Sequence, residues 1–309
     1  MKIAALFTGQ GSQYMGMGKD LYDNYPLVKF RMDKTSEILG YDISKICFEG
    51  SEEDLKKTEN TQPAIYMISF ICYRLLENAG VKFDAYAGFS LGEYSALAAS
   101  GRMTYEDGVK LVQDRGIIME RAVPAGAGAM AAILGLEDSV VEEVCAKVKS
   151  GIVVPANYNC PGQLVISGEK VAVEEACALA TEAGAKRAVV LNVSGPFHSP
   201  MLKDASVQLK EKLDALTFQN ATVPVYSNVT AEPHNPDTLK EMLVKQMYSP
   251  VQWRKTIENL LADGFDTFVE VGPGKTLAGF VRKINRNVTI YSVNNVESFE
   301  ATVKVLKNN

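Results

Sequence analysis

A serine held between two glycines, in Gly88-Phe89-Ser90-Leu91-Gly92, restricts this chain more than any other stretch. Gly-x-Ser-x-Gly is the form of a sharp strand-to-helix turn, which exposes a serine hydroxyl and aims the next backbone N–H at the carbonyl it attacks. A Cβ at either glycine would obstruct the close packing of such a turn. The flanks fit: Val81 to Ala87 reads as a short strand, and Leu91 to Ala99 as a Leu- and Ala-rich helix stopped by Gly101. Ser90 is therefore the candidate nucleophile.

Upstream, Ile3 to Phe7 reads as a buried strand that opens into Thr8-Gly9-Gln10-Gly11-Ser12-Gln13. Such a loop could hold phosphate, but Tyr14 stands where Gly-x-Gly-x-x-Gly needs its third glycine, and a plain tight turn fits equally. Helical spacing recurs over Leu27–Leu39 and Ser51–Lys57, the latter with Ser51 as a cap. A longer apolar helix begins near Thr61 and runs to Leu76, with Pro63 suited to its first turn. Tyr105 to Glu120 carries Arg115 among apolar neighbours. That guanidinium is either an ordinary surface charge or a buried cation needing an anion, and burial preferences alone favour the surface.

Residues 123–194 alternate differently. Strands are expected at Met130–Leu134, Val153–Asn157, Gln163–Ser167 and Ala188–Leu191, with helices at Ser139–Val148 and Ala172–Ala183. The order βαββαβ is that of a ferredoxin-like subdomain, inserted into a larger α/β unit formed by residues 1–122 and 195–309. The last third returns to α/β alternation. Its Gly272-Pro273-Gly274-Lys275 lacks phosphate-loop spacing and reads as a structural turn before a helix at Leu277–Ile284.

A serine nucleophile needs a base, and the chain has only two histidines. His234 lies in the turn-rich Glu232-Pro233-His234-Asn235-Pro236 and reads as exposed; His198, in Pro196-Phe197-His198-Ser199-Pro200 just after the insertion, is favoured. A net charge of −5 gives no global attraction to nucleic acid or anionic membranes. Five scattered cysteines without C-x-x-C spacing argue against both a disulfide framework and a zinc site. Without a signal-like start or an apolar run of spanning length, the expected compartment is the cytoplasm.

Gly9-Gln10-Gly11-Ser12-Gln13, Gly88-Phe89-Ser90-Leu91-Gly92-Glu93-Tyr94, Arg115, Pro196-Phe197-His198-Ser199 and Glu270-Val271-Gly272-Pro273-Gly274-Lys275 stand in one order. Together they resemble the malonyl-CoA:acyl carrier protein transacylases of type II fatty acid synthesis, over essentially the whole length. Thr8 departs from the proline that many members carry there. The resemblance implies an α/β-hydrolase-like large domain with a ferredoxin-like small one. It makes Ser90 the acylated nucleophile and His198 its base, with the Gln10 and Leu91 N–H groups as oxyanion hole and Arg115 pairing with the malonate carboxylate. It also implies a backbone carbonyl, here that of Gln246, orienting the histidine, and Phe197 restricting room beside the α-carbon. Asn159, Met119 and Met130 are further candidates for lining the pocket. The implied substrates are malonyl-CoA and phosphopantetheinylated acyl carrier protein, with no cofactor or metal, and a monomer is expected. For steering the acidic carrier protein, Lys186 and Arg187 are the candidate basic patch.

Two other readings compete. A serine hydrolase would place its histidine near the C-terminus, whereas here the last third of the chain follows His198. A non-catalytic carrier-protein or nucleotide-binding subunit would have no use for Ser90.

Overall fold

The computed structural model describes residues 1–307. In chain order the strands are β1 (Ile3–Phe7), β2 (Ala85–Gly88), β3 (Gly128–Leu134), β4 (Val153–Cys160), β5 (Gln163–Glu169), β6 (Arg187–Val190), β7 (Val225–Tyr226), β8 (Thr267–Val271) and β9 (Thr289–Val293). They form two sheets. The first, in the order β7-β2-β1-β8-β9, is parallel throughout. Every residue of β1, β2 and β8 is buried, because helices cover both faces of a parallel sheet. Successive side chains of β1 alternate between two core layers, Ala5 and Phe7 entering one, Ala4 and Leu6 the other.

The second sheet is antiparallel, in the order β4-β5-β3-β6, the ferredoxin-like arrangement expected from the βαββαβ spacing. One face is covered by the helices Asp138–Lys147 and Lys170–Glu182, through Val141, Val144, Val173 and Ala176. On the other face Met130, Ala132 and Val165 join the core of the larger unit. β4 is tied to that unit by Val251 N–H to Ala156 O (2.8 Å) and Tyr158 N–H to Val251 O (3.0 Å).

The structure departs from expectation at several elements. The expected Val81–Ala87 strand is confined to Ala85–Gly88. Pro63 lies inside its helix, which spans Thr58–Asn78 and starts early because the Glu120 carboxylate accepts the Thr58 N–H at 3.0 Å. The helices Ile43–Glu49, Ser206–Asp214 and Val296–Leu306 and the edge strand β9 were not expected from the sequence.

Candidate active site

β2 ends at Gly88 and a helix begins at Gly92, so Ser90 sits at the apex of the turn. Its φ is 51°, in the left-handed region, where a non-glycine residue costs about 1–3 kcal/mol. The strain is held by three hydrogen bonds. Asn228 Oδ1 accepts the Ser90 N–H at 2.7 Å and Asn228 Nδ2 donates to Gly88 O at 2.7 Å, while Phe89 N–H donates to Phe7 O at 3.0 Å. The glycines are sterically required: a Cβ on Gly88 would lie 1.9 Å from the Gly92 carbonyl, and one on Gly92 would lie 2.1 Å from Phe7 O.

His198 is 3% exposed and also has a left-handed backbone, φ 58°. Its Nδ1 lies 2.7 Å from the backbone carbonyl of Gln246, and its Nε2 2.8 Å from Ser90 Oγ. A carbonyl can only accept, so Nδ1 carries the proton, which leaves the Nε2 lone pair of the neutral ring to accept from the serine hydroxyl. Burial, and then the nearby Arg115 guanidinium, push the His198 pKa down from 6.5 to about 4. The ring is thus neutral and ready to take a proton near neutrality.

Arg115 is buried, 1% exposed, which corrects the surface placement that burial preferences favour. Nη1 donates to Gln62 Oε1 (2.8 Å), and Nη2 to Gln246 Oε1 (3.0 Å) and to Ser90 Oγ (3.1 Å). The guanidinium lies over the Tyr94 ring, 5.2 Å from its centroid. Its Nε has no hydrogen-bond partner, and no carboxylate lies within ion-pairing distance among the described residues. Burial pushes its pKa down from the ordinary arginine value. This is a desolvated cation whose neighbours are all neutral acceptors, the state in which an anionic ligand has most to offer.

The serine opens into a cleft of about 240 Å³ between the two sheets. Of the residues expected at the site, Gln10, Met119, Met130, Asn159, Phe197 and His198 share its wall with Ser90. Leu91, Arg115 and Gln246 are fully buried and do not line it. Among the described residues nothing accepts from the N–H of Gln10 or of Leu91, so both remain available as donors. Asn159 is 4% exposed and its Oδ1 has no partner. Lys186 and Arg187 are exposed, but Arg187 pairs with Leu134 at the end of β6 farther from Leu191, which lines the cleft.

His234 is not exposed. Its loop folds back through His234 N–H to Val225 O (2.8 Å), and the buried ring places Nε2 2.5 Å from Glu93 Oε1. Sequence reasoning also passed over Asn228 and Gln62, polar residues with no motif around them. Glu93 gave a signal, being the one charged residue in the otherwise uncharged helix Gly92–Ala99.

A serine hydroxyl on a strained turn, hydrogen-bonded to an imidazole and beside a buried guanidinium without an ion-pair partner, is the arrangement that serine-based acyl transfer on an α/β fold requires. The model of the acyl transferase domain family matches residues 5–304. The malonyl CoA-acyl carrier protein transacylase of Bacillus subtilis (strain 168) is 47% identical over 99% of this chain and 98% of its own length, and that of Escherichia coli (strain K12) is 43% identical over 98% and 99%. A malonyl-transacylase solved in complex with its type II polyketide synthase acyl-carrier protein superposes with a TM-score of 0.96, at 38% identity and over 100% of both chains. The chain belongs to the malonyl CoA-acyl carrier protein transacylase family.

Proposed function

We propose that this protein transfers a malonyl group from malonyl-CoA to the phosphopantetheine thiol of acyl carrier protein through a malonyl ester of Ser90, supplying the malonyl carrier for fatty acid synthesis. The observation that carries the reading is the Ser90 Oγ, 2.8 Å from His198 Nε2 and 3.1 Å from Arg115 Nη2. The hydroxyl gives its proton to His198 as Oγ attacks the thioester carbonyl, and the negative charge that develops on the carbonyl oxygen is received by the N–H groups of Gln10 and Leu91. Collapse breaks the C–S bond; CoA leaves as the thiol, with the proton from His198. The carrier thiol then gives its proton to His198 and attacks the ester, and Ser90 is regenerated as Oγ recovers that proton. The Gln246 carbonyl keeps the ring in the required tautomer throughout.

Arg115 supplies the selection. A malonyl carboxylate replaces Ser90 Oγ on the guanidinium and gives it a two-pronged anionic partner, whereas an acetyl group leaves the buried cation unpaired. Phe197 limits room beside the α-carbon. Asn159 offers an unpaired Oδ1 to a donor on the substrate, and Met119 and Met130 supply apolar wall. No step calls for a cofactor or a metal. Among the described residues no helix is long and apolar enough to cross a membrane.

The test is direct. Mixed with malonyl-CoA and freed of excess reagent, the protein is expected to gain the mass of one malonyl group, mapped to Ser90 and discharged by added acyl carrier protein. No adduct on Ser90, or turnover that ignores the carrier and releases free acid, would refute the reading.

A further inference from the structure

Behind the nucleophile lies a buried pair that the proposed reaction does not use, Glu93 and His234, with side chains 1% and 0% exposed. The carboxylate is fully engaged. Oε1 takes His234 Nε2 at 2.5 Å, and Oε2 takes Gln246 Nε2 at 2.6 Å and the Asn228 N–H at 3.2 Å. His234 Nδ1 has no partner, so the ring's one hydrogen bond is the N–H that Nε2 donates to the Glu93 carboxylate. Enclosing a carboxylate is costly, and apolar residues fill comparable positions on the same helix, among them Ala96 and Leu97.

What the pair sets is the direction of an amide. The Gln246 carboxamide has nearly the same shape either way round, but with Nε2 drawn to Glu93 and to Ser90 O (2.9 Å), its Oε1 must face Arg115 Nη2, at 3.0 Å. Turned over, it would set an NH₂ against the guanidinium and an oxygen against three acceptors, the third being Asn228 Oδ1, 3.3 Å from Nε2.

The geometry points to Glu93, pinned by His234, as a positioning residue for carboxylate selection: through the Gln246 amide it holds the Arg115 fork beside Ser90 Oγ, ready to receive the carboxylate of the acyl group. The amide also separates cation from anion. A carboxylate directly on Arg115 would compete with the substrate for the same N–H groups, whereas Glu93 balances the charge from one residue away and leaves the fork open. The inference rests on the reading of Arg115 as the malonyl receptor.

The test compares kcat/KM for malonyl-CoA and acetyl-CoA in Glu93→Gln, His234→Leu and His234→Gln, with folding checked by circular dichroism and denaturant unfolding. A carboxamide at 93 brings an NH₂ that must face Gln246 or His234, and leucine at 234 removes the donor that pins Oε1. The preference for malonyl is expected to fall about tenfold or more in both, through KM for malonyl-CoA more than kcat, as loss of one well-placed charged contact implies. Glutamine at 234 restores a donor and is expected to recover most of it. A purely structural role lowers the unfolding midpoint and leaves the ratio alone. An unchanged ratio in Glu93→Gln overturns the proposal, whether or not His234→Leu folds. A wild-type protein that acylates Ser90 without preferring malonyl removes instead the receptor reading on which the proposal rests.

Discussion

Replacing Arg115 by alanine tests the core of the proposed chemistry. In the free protein the change strips donors from Gln62 Oε1 and Gln246 Oε1, both buried. An orphaned buried acceptor costs about 1–3 kcal/mol, so the stability loss is expected to be about 2–6 kcal/mol before repacking. In the reaction, the substrate carboxylate loses two charge-assisted hydrogen bonds worth about 1.5–3 kcal/mol each, comparable to the roughly 3–5 kcal/mol for removing one partner of a buried ion pair. At about 1.4 kcal/mol per decade, kcat/KM for malonyl-CoA should fall about 10²- to 10⁴-fold. Acetyl-CoA has no carboxylate to lose, so its acylation should change far less and the preference should collapse. The assay is the rate of Ser90 acylation by each thioester, followed by intact mass under single-turnover conditions. Arg115→Lys, which keeps the charge but not the fork, should fall between the two. A variant that still acylates Ser90 and keeps its preference within about tenfold of the wild type would refute the carboxylate-pairing argument.

With the His198 pKa held down at about 4, kcat/KM for acylation should stay level from neutrality to about pH 5 and then decline, where an unperturbed imidazole would begin to fail near 6.5. The sign for stability follows from linkage. As pH drops below 6.5 the unfolded chain takes a proton that the folded ring refuses until about 4, so His198 favours unfolding progressively through that window, by about 3 kcal/mol at its lower end; denaturant unfolding against pH measures it. Gly88→Ala places a Cβ 1.9 Å from backbone and should cost at least about 3 kcal/mol or prevent folding, read as the unfolding midpoint. Asn228→Ala leaves the Ser90 N–H and the Gly88 carbonyl without their partner and should cost about 2–4 kcal/mol, with acylation slowed because the strained turn relaxes; a variant with wild-type acylation and stability would show that the turn holds itself.

The turn at Ser90 and the βαββαβ alternation were legible because each rests on local rules: glycines where a Cβ cannot fit, and apolar runs of strand or helix period. Ser90 and His198 could be named as candidates for the same reason, a motif marking the one and scarcity the other, whereas Arg115 owed its role only to the family resemblance. What the sequence hid was environment. His234 sits in a turn-rich segment that looks solvated, yet Ala231 at φ 60° and the His234 N–H bond to Val225 O fold the loop inward against Glu93. Arg115 has an ordinary surface pattern around it, and only its packing on Tyr94 between two glutamines shows it to be enclosed. Asn228 is 138 residues from Ser90 in the chain and carries no spacing signal at all. β9, a half-exposed edge strand, has too little apolar alternation to stand out.

These hidden contacts also explain why the histidine is oriented by a carbonyl. In a Ser-His-Asp site the carboxylate stabilises the imidazolium as well as fixing its tautomer. Here a carboxylate at His198 Nδ1 would take the place of the Gln246 carbonyl, and it would stand close to the cation that the Gln246 side chain holds. It would draw on the guanidinium that the proposed substrate needs. The carbonyl orients the ring without adding charge, which leaves His198 a weak base and leaves the guanidinium to the proposed substrate. The site thus forgoes a carboxylate beside the histidine and keeps its buried cation without an ion-pair partner, and the proposed selection for a carboxylate-bearing acyl group rests on that exchange.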